Sequence, residues 1–288
     1  MSVLAVCLLC LLITQSPPWQ RVISFGADLT PEDRVAVVRD FALPPEVNTS
    51  QIPTVTVEHR EEVELLQGVA PSELIGTKAV SSVYLEADRP GAGLLVNTKN
   101  ITWVTPEMYA NAMATAGVRD ARAFVTAPVP VSGTAALTGI FKAFSNLSGR
   151  VLSPAAQEAA AQELVRTGEL GQRYGKDEAA TFMVRLKEEA IRTRAATMQE
   201  IEEVIARVAR EQNLSLTTTE KQLLADYLAR LTKLDLDLEN LRAQLKNFAD
   251  AGAREATGLD GLLARLLDFL RSLFQQLVGF VGRCLRWS

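Results

Sequence analysis

β-type alternation stops early in this chain. No convincing strand pattern follows Ser132, and from there on the composition shifts toward Ala, Glu, Arg, Gln and Leu at helical spacing. Any sheet must therefore be built from the first half, and the second half must be helical. The expectation is an α+β fold: an N-terminal mixed α/β sheet domain followed by an all-helical region with a long heptad helix and a C-terminal amphipathic helix. The boundaries read as a signal peptide at 1–20, an α/β domain at 21–150, a helical domain at 151–258 and a basic amphipathic helix at 259–288. At 288 residues with 48% hydrophobic content, the chain can bury a substantial core.

Local signals place the elements. Val22 to Gly26 reads as a strand, and Thr30-Pro31-Glu32-Asp33 opens a helix with a threonine cap, a proline at the first position and an acid three residues on. Thr54 to Glu58 alternates at period two, and Glu61 to Gln67 reads as a short charged helix. Ala79 to Asp88 and Leu94 to Val104 read as a hairpin joined by Arg89-Pro90-Gly91-Ala92-Gly93. Thr105-Pro106-Glu107 starts the next helix, Gly117 stops it, and Ala121 to Thr126 is the last strand.

In the helical half, Ser153-Pro154 opens a helix that Gly168 and Gly171 should interrupt; others run from about Lys176 to Arg192 and from Thr197 to Gln212. Leu224, Leu231, Leu238 and Leu245 then repeat every seven residues, with Tyr227, Leu234, Leu241 and Phe248 between them. Such a seam serves a helical hairpin within the chain or self-association equally well.

The ends carry the cysteines. Cys7 and Cys10 lie in the apolar run Val3 to Ile13, which is too short to cross a bilayer and has the length of a secretory h-region. Export is the favoured reading; a buried or membrane-retained N-terminal helix is the alternative. Cys284 would then be the one thiol of the mature chain. Between Leu259 and Ser288, leucines, phenylalanines and valines line one helical face, while Arg271, Arg283 and Arg286 stand among the polar positions. Arg271, Phe274, Arg283, Arg286 and Trp287 are the candidate contacts to an anionic membrane surface; core or oligomer packing would show the same amphipathicity.

Catalytic chemistry has little to work with. One histidine, His59, argues against a His-type metal site and leaves a Ser-His-Asp triad to be built entirely around it, and neither metal nor cofactor is expected. Adjacent pairs such as Glu188-Glu189 and Glu202-Glu203 diverge on a helix and read as solvated faces. Asp235, Asp237 and Glu239 lack the glycine of a calcium loop. The segment Val131 to Lys142 is the most unusual: Ser132 or Thr134 should cap a helix whose amides could hold an anion. Packing of small residues against the sheet competes with a ligand-binding turn formed by Ser132, Gly133, Thr134 and Thr138. As an enzyme, the chain would use Ser132 or Thr134 as nucleophile or anion clamp and Glu107 as base.

The run Ile101-Thr102-Trp103-Val104-Thr105-Pro106-Glu107-Met108-Tyr109-Ala110-Asn111-Ala112, continuing through Thr115-Ala116-Gly117-Val118, Val125-Thr126-Ala127-Pro128 and Ser132 to Gly139, resembles the YpuA-like family of exported Gram-positive bacterial proteins. Phe25-Gly26-Ala27-Asp28-Leu29, Glu163-Leu164-Val165 and Gly168-Glu169-Leu170-Gly171 resemble further family segments, so the likeness spans about Arg21 to Asp250. It implies an extracytoplasmic protein of the cell envelope and carries no established reaction. The expectation is an exported, non-catalytic protein that binds a cell-envelope component or protein partner through its α/β domain and touches an anionic membrane surface through its last helix; the alternative is an extracytoplasmic hydrolase using the Ser132–Thr134 turn. A formal charge of −4 and a pI near 5.3 argue against nucleic acid as a partner. Self-association through the heptad helix stays open.

Overall fold

A computed structural model describes residues 21–255, with side chains described as far as residue 247. In chain order the elements are β1 (Arg21–Gly26), α1 (Pro31–Asp40), β2 (Thr54–Val57), α2 (His59–Leu66), α3 (Ser72–Ile75), β3 (Ser82–Ala87), β4 (Leu94–Ile101), α4 (Pro106–Ala116), β5 (Ala121–Val131), α5 (Thr134–Ser148), α6 (Pro154–Tyr174), α7 (Lys176–Thr193), α8 (Met198–Glu211), α9 (Thr218–Leu231) and α10 (Leu238–Glu255). The fold is α+β, with a mixed sheet followed by helices. The signal-peptide run and the proposed membrane contacts Arg271, Phe274, Arg283, Arg286 and Trp287 lie outside the described residues.

The sheet is five-stranded in the order β2-β1-β3-β5-β4. β1 pairs parallel with β2, β4 parallel with β5, and β3 runs antiparallel to both β1 and β5. The expected β3–β4 hairpin does not form. Ala87 at the end of β3 and Leu94 at the start of β4 both pair with Ala121, so β5 lies between them. The connection spans two strand spacings, roughly 10 Å, and the loop between Ala87 and Leu94 is long enough to pass over the end of β5. Asp120 ties this loop down: its carbonyl accepts from Asp88 N at 2.6 Å and its Oδ1 from Gly93 N at 2.9 Å.

Each sheet face is covered by a different set of helices. On one, Phe41 at the end of α1 packs obliquely on Tyr84 and edge-on against Phe124, over a cluster of Ile23, Phe25, Val37 and Ile52. The capping box predicted at Thr30 and Asp33 starts α1. On the other, α5 lies so close that a Cβ on Gly139 would stand 2.8 Å from Ser24 Oγ, and α4 crosses β4. Every residue of α4 from Met108 to Ala116 is buried, because α6 covers its outer side.

Beyond the sheet, α6 to α9 pack around Phe182, Met183, Leu186, Ile201, Ile205, Leu224, Tyr227 and Leu228. Gly168 and Gly171 do not interrupt α6. The helix runs through both, and Gly168 forms a notch for the Trp103 ring, which a Cβ there would meet at 2.2 Å. The heptad run is likewise not one helix. α9 ends at Leu231, and the Thr232–Asp237 turn precedes α10. Leu234 and Leu236 pack on the helical core from this turn, while Asp237 accepts from the amides of Glu239 and Asn240 and so starts α10. The period-two Leu-Asp-Leu-Asp pattern suits a turn with one apolar side better than a continuous seam.

Two features of this layer were not expected from the sequence. Glu163 on α6 and Lys187 on α7 form a fully buried ion pair at 2.6 Å. Lys187 Nζ also donates to Thr115 Oγ1 at 2.9 Å and the Asn111 carbonyl at 3.3 Å, and Thr115 donates to Glu163. Glu188 and Glu189, read as solvated faces, are each held by two arginines: Glu188 by Arg185 and Arg242, Glu189 by Arg192 and Arg207. Their side chains diverge as expected, but toward partners on different helices.

Candidate functional site

The turn from β5 into α5 is where the sequence concentrates small polar residues. Gly133 is the N-cap of α5, in a left-handed conformation at φ 96° that suits glycine. A Cβ there would also stand 2.5 Å from both Ile101 Cγ2 and Tyr109 Oη. Neither Ser132 nor Thr134 is the cap residue, and no side chain caps this helix. Thr134 occupies the first helical position instead and turns its hydroxyl into the protein, where it is 1% exposed.

Its partner is Glu62 on α2. Thr134 Oγ1 donates to Glu62 Oε1 at 2.6 Å, and the Leu74 carbonyl lies 3.4 Å from the same hydroxyl. With its proton committed to Glu62, Thr134 accepts from the Ser132 hydroxyl at 3.2 Å. Tyr109, buried on α4, donates to the Gly133 carbonyl at 2.5 Å. His59 Nδ1 lies 3.4 Å from Glu62 Oε2, an ion-pair distance without hydrogen-bond geometry. α2 and α5 thus meet at one carboxylate, and the Tyr109 hydroxyl of α4 holds the adjoining Gly133 carbonyl.

Burial pushes the Glu62 carboxyl above the ordinary glutamate range, against the downward pull of the Thr134 hydroxyl and His59. Burial, followed by the nearby Glu62 charge, raises the Tyr109 phenol well above its usual value. The adjacent Glu61 behaves oppositely. Burial would raise it, but the Lys142 ammonium, donating at 2.7 and 2.8 Å, and the Glu58 amide hold it below the usual range. Neighbouring glutamates are thus pushed apart in acidity, one bound to a cation and the other to a single hydroxyl.

The other sequence candidates divide. Ser132, Gly133 and Thr134 belong to this centre. Thr138 lies one turn further along α5, 8% exposed, with its Oγ1 buried and unpartnered. Glu107 is half-buried in the first turn of α4, and the carboxylate that receives Thr134 is Glu62 instead. The available signal was Glu62 itself, three residues after His59 and four before the buried Leu66, a charged residue on the inward face of a short helix. Among the described residues, no group of three or more His, Cys, Asp or Glu side chains is placed to hold a metal ion.

A mixed five-stranded sheet, a buried central helix and a hydroxyl turn anchored on an internal carboxylate define an α+β protein with helices stacked in a further layer. The chain belongs to the family described as protein of unknown function (DUF1002), whose model matches residues 25–248. It is 34% identical over 260 residues to a protein of Bacillus subtilis (strain 168) named uncharacterized protein YpuA, covering 89% of this chain and 88% of that one. No solved structure matches the chain.

Proposed function

We propose that the chain is an exported, non-catalytic protein of the cell envelope that recognises a ligand or partner through its α/β unit. The observation that carries the non-catalytic part is the burial of Thr134 and Glu62, each 1% exposed and bonded to the other. An acyl or phosphoryl group must come within about 3 Å of a nucleophile to react, and both groups are enclosed by α2, α4 and α5. His59 meets the carboxylate and not a hydroxyl, so its contact does not make the hydroxyl–imidazole relay of a triad. Export is supported by the apolar run Val3 to Ile13, which has the length of a secretory h-region. Membrane contact is supported by the arginines of the 259–288 segment, net +2, and by Trp287.

The second reading, an extracytoplasmic hydrolase, draws on the 2.6 Å hydrogen bond between Thr134 and a carboxylate of raised pKa. A fluorophosphonate probe and a β-lactone probe separate the two. On the full chain, neither should label Ser132 or Thr134 in peptide maps. Labelling at either hydroxyl that disappears in Glu62→Gln would overturn the non-catalytic reading. The membrane part is tested by sedimentation with anionic liposomes at low salt; failure to sediment would remove it.

A further inference from the structure

α7, α8 and α10 enclose a cleft of about 430 Å³ lined by Arg185, Glu188, Glu189, Arg192, Glu211 and Arg242, with Val208 and Gln212. That volume is within the range of small-molecule sites, roughly 300–1,000 Å³. The ion pairs here run from inside to outside. The Glu188 and Glu189 carboxylates are turned in, with side chains 13% and 19% exposed, and the guanidiniums holding them are 41% to 66% exposed.

Hydrogen-bond capacity decides what such a cleft can take. Glu188 accepts from Arg242 Nε at 2.7 Å on one oxygen and from Arg185 at 3.4 Å on the other. Glu189 accepts from Arg192 Nε and Nη2 at 2.8 and 2.6 Å and is paired with Arg207 as well. Both carboxylates are thus engaged at each oxygen. A guanidinium has five N–H groups, and these contacts use no more than two from any arginine; Arg207 Nε is buried with no hydrogen-bond partner. The unfilled capacity is therefore donor capacity, and the arginines that line the cleft, Arg185 and Arg192 on α7 and Arg242 on α10, bring it from two helices. One fork satisfies a planar carboxylate, whereas a tetrahedral phosphate can accept from several at once.

We propose that this cleft binds a phosphate group, with Arg192 and Arg242 as direct ligands and Glu188 and Glu189 as positioning residues that hold the guanidiniums. Glu211, exposed at the rim, opposes an incoming anion. The group can arrive as free phosphate or as a phospholipid headgroup, since both present the same oxygens.

Calorimetry on the full chain at low salt, titrating inorganic phosphate and pyrophosphate, tests this. Arg192→Gln and Arg242→Gln should each weaken binding at least tenfold, Arg242→Lys several-fold, and Glu211→Gln should tighten it. Arg122→Gln, on β5, should leave it unchanged. The opposite response of Glu211→Gln, an exposed position, keeps the test valid if an arginine variant fails to fold. Absence of binding at millimolar pyrophosphate, or binding equal in the wild type and both glutamine variants, overturns the proposal. Phosphatidylglycerol vesicles against phosphatidylcholine vesicles identify the source. Competition between vesicles and pyrophosphate that is lost in Arg242→Gln assigns a headgroup, and pyrophosphate binding unaffected by vesicles assigns a free phosphate.

Discussion

Lys187 Nζ stands 2.6 Å from Glu163 Oε1 with neither side chain exposed at all. The pair joins α6 to α7, and through Thr115 and the Asn111 carbonyl it joins both to the buried helix α4. Two buried charges contribute little net stability beyond what well-packed apolar groups would give, yet removing one strands the other. Lys187→Met should therefore lower unfolding stability by roughly 3–5 kcal/mol. Adding Glu163→Leu and Thr115→Val, which remove the carboxylate and the hydroxyl that Lys187 contacts, should recover much of the loss in urea denaturation. A triple variant as unstable as the single one would mean that the charges themselves hold the layers together.

The Glu62 carboxyl predicts a pH dependence of definite sign. Its pKa in the folded protein is raised above the ordinary 4.5, so the native state holds this proton more tightly than the unfolded chain. Its contribution is fully present below pH 4.5 and declines as the pH rises through the folded value. Glu62→Gln cannot lose a proton, so its stability relative to wild type should improve as the pH rises from 4.5 through the folded value and level off above it. Thermal melts across that range check this; a gap that stays constant with pH would show that Glu62 titrates as an ordinary surface acid.

Gly133 and Gly68 both have positive φ, 96° and 73°, but only Gly133 is crowded. Alanine at Gly68, with nothing within 4 Å of its Cβ, should cost about 1 kcal/mol from backbone strain. Alanine at Gly133 adds contacts of 2.5 Å to Ile101 and Tyr109, for a total of roughly 2–4 kcal/mol. Equal losses in chemical denaturation would mean that the β5–α5 turn relaxes away from Tyr109.

What could be read from the sequence was local. Thr30, Thr105 and Thr197 each start a helix where the sequence places it, because a cap is settled within four residues. Strand order is settled by partners far apart in sequence. The runs either side of Arg89–Gly93 look like a hairpin until β5 inserts between them. Heptad spacing survived the break at Thr232–Asp237 because Leu234 and Leu236 stay on the core from a turn, so periodicity alone could not show that the helix had ended. The Glu62 centre joins residues 72 positions apart, and the carboxylate lay hidden in a run that reads as a charged surface helix. Glu163 and Lys187 were hidden in the same way, each on an inward helical face.

Export is the claim on which the rest of the functional account depends. The most direct test expresses the full chain in a Gram-positive host, separates cytoplasm from envelope and medium, and measures the intact mass and the number of maleimide-reactive thiols after denaturation. An exported chain lies outside the cytoplasm and has lost the Val3–Ile13 run with Cys7 and Cys10, leaving Cys284 as its one thiol. A chain retained in the cytoplasm with all three cysteines and residue 1 or 2 at its N-terminus would contradict export.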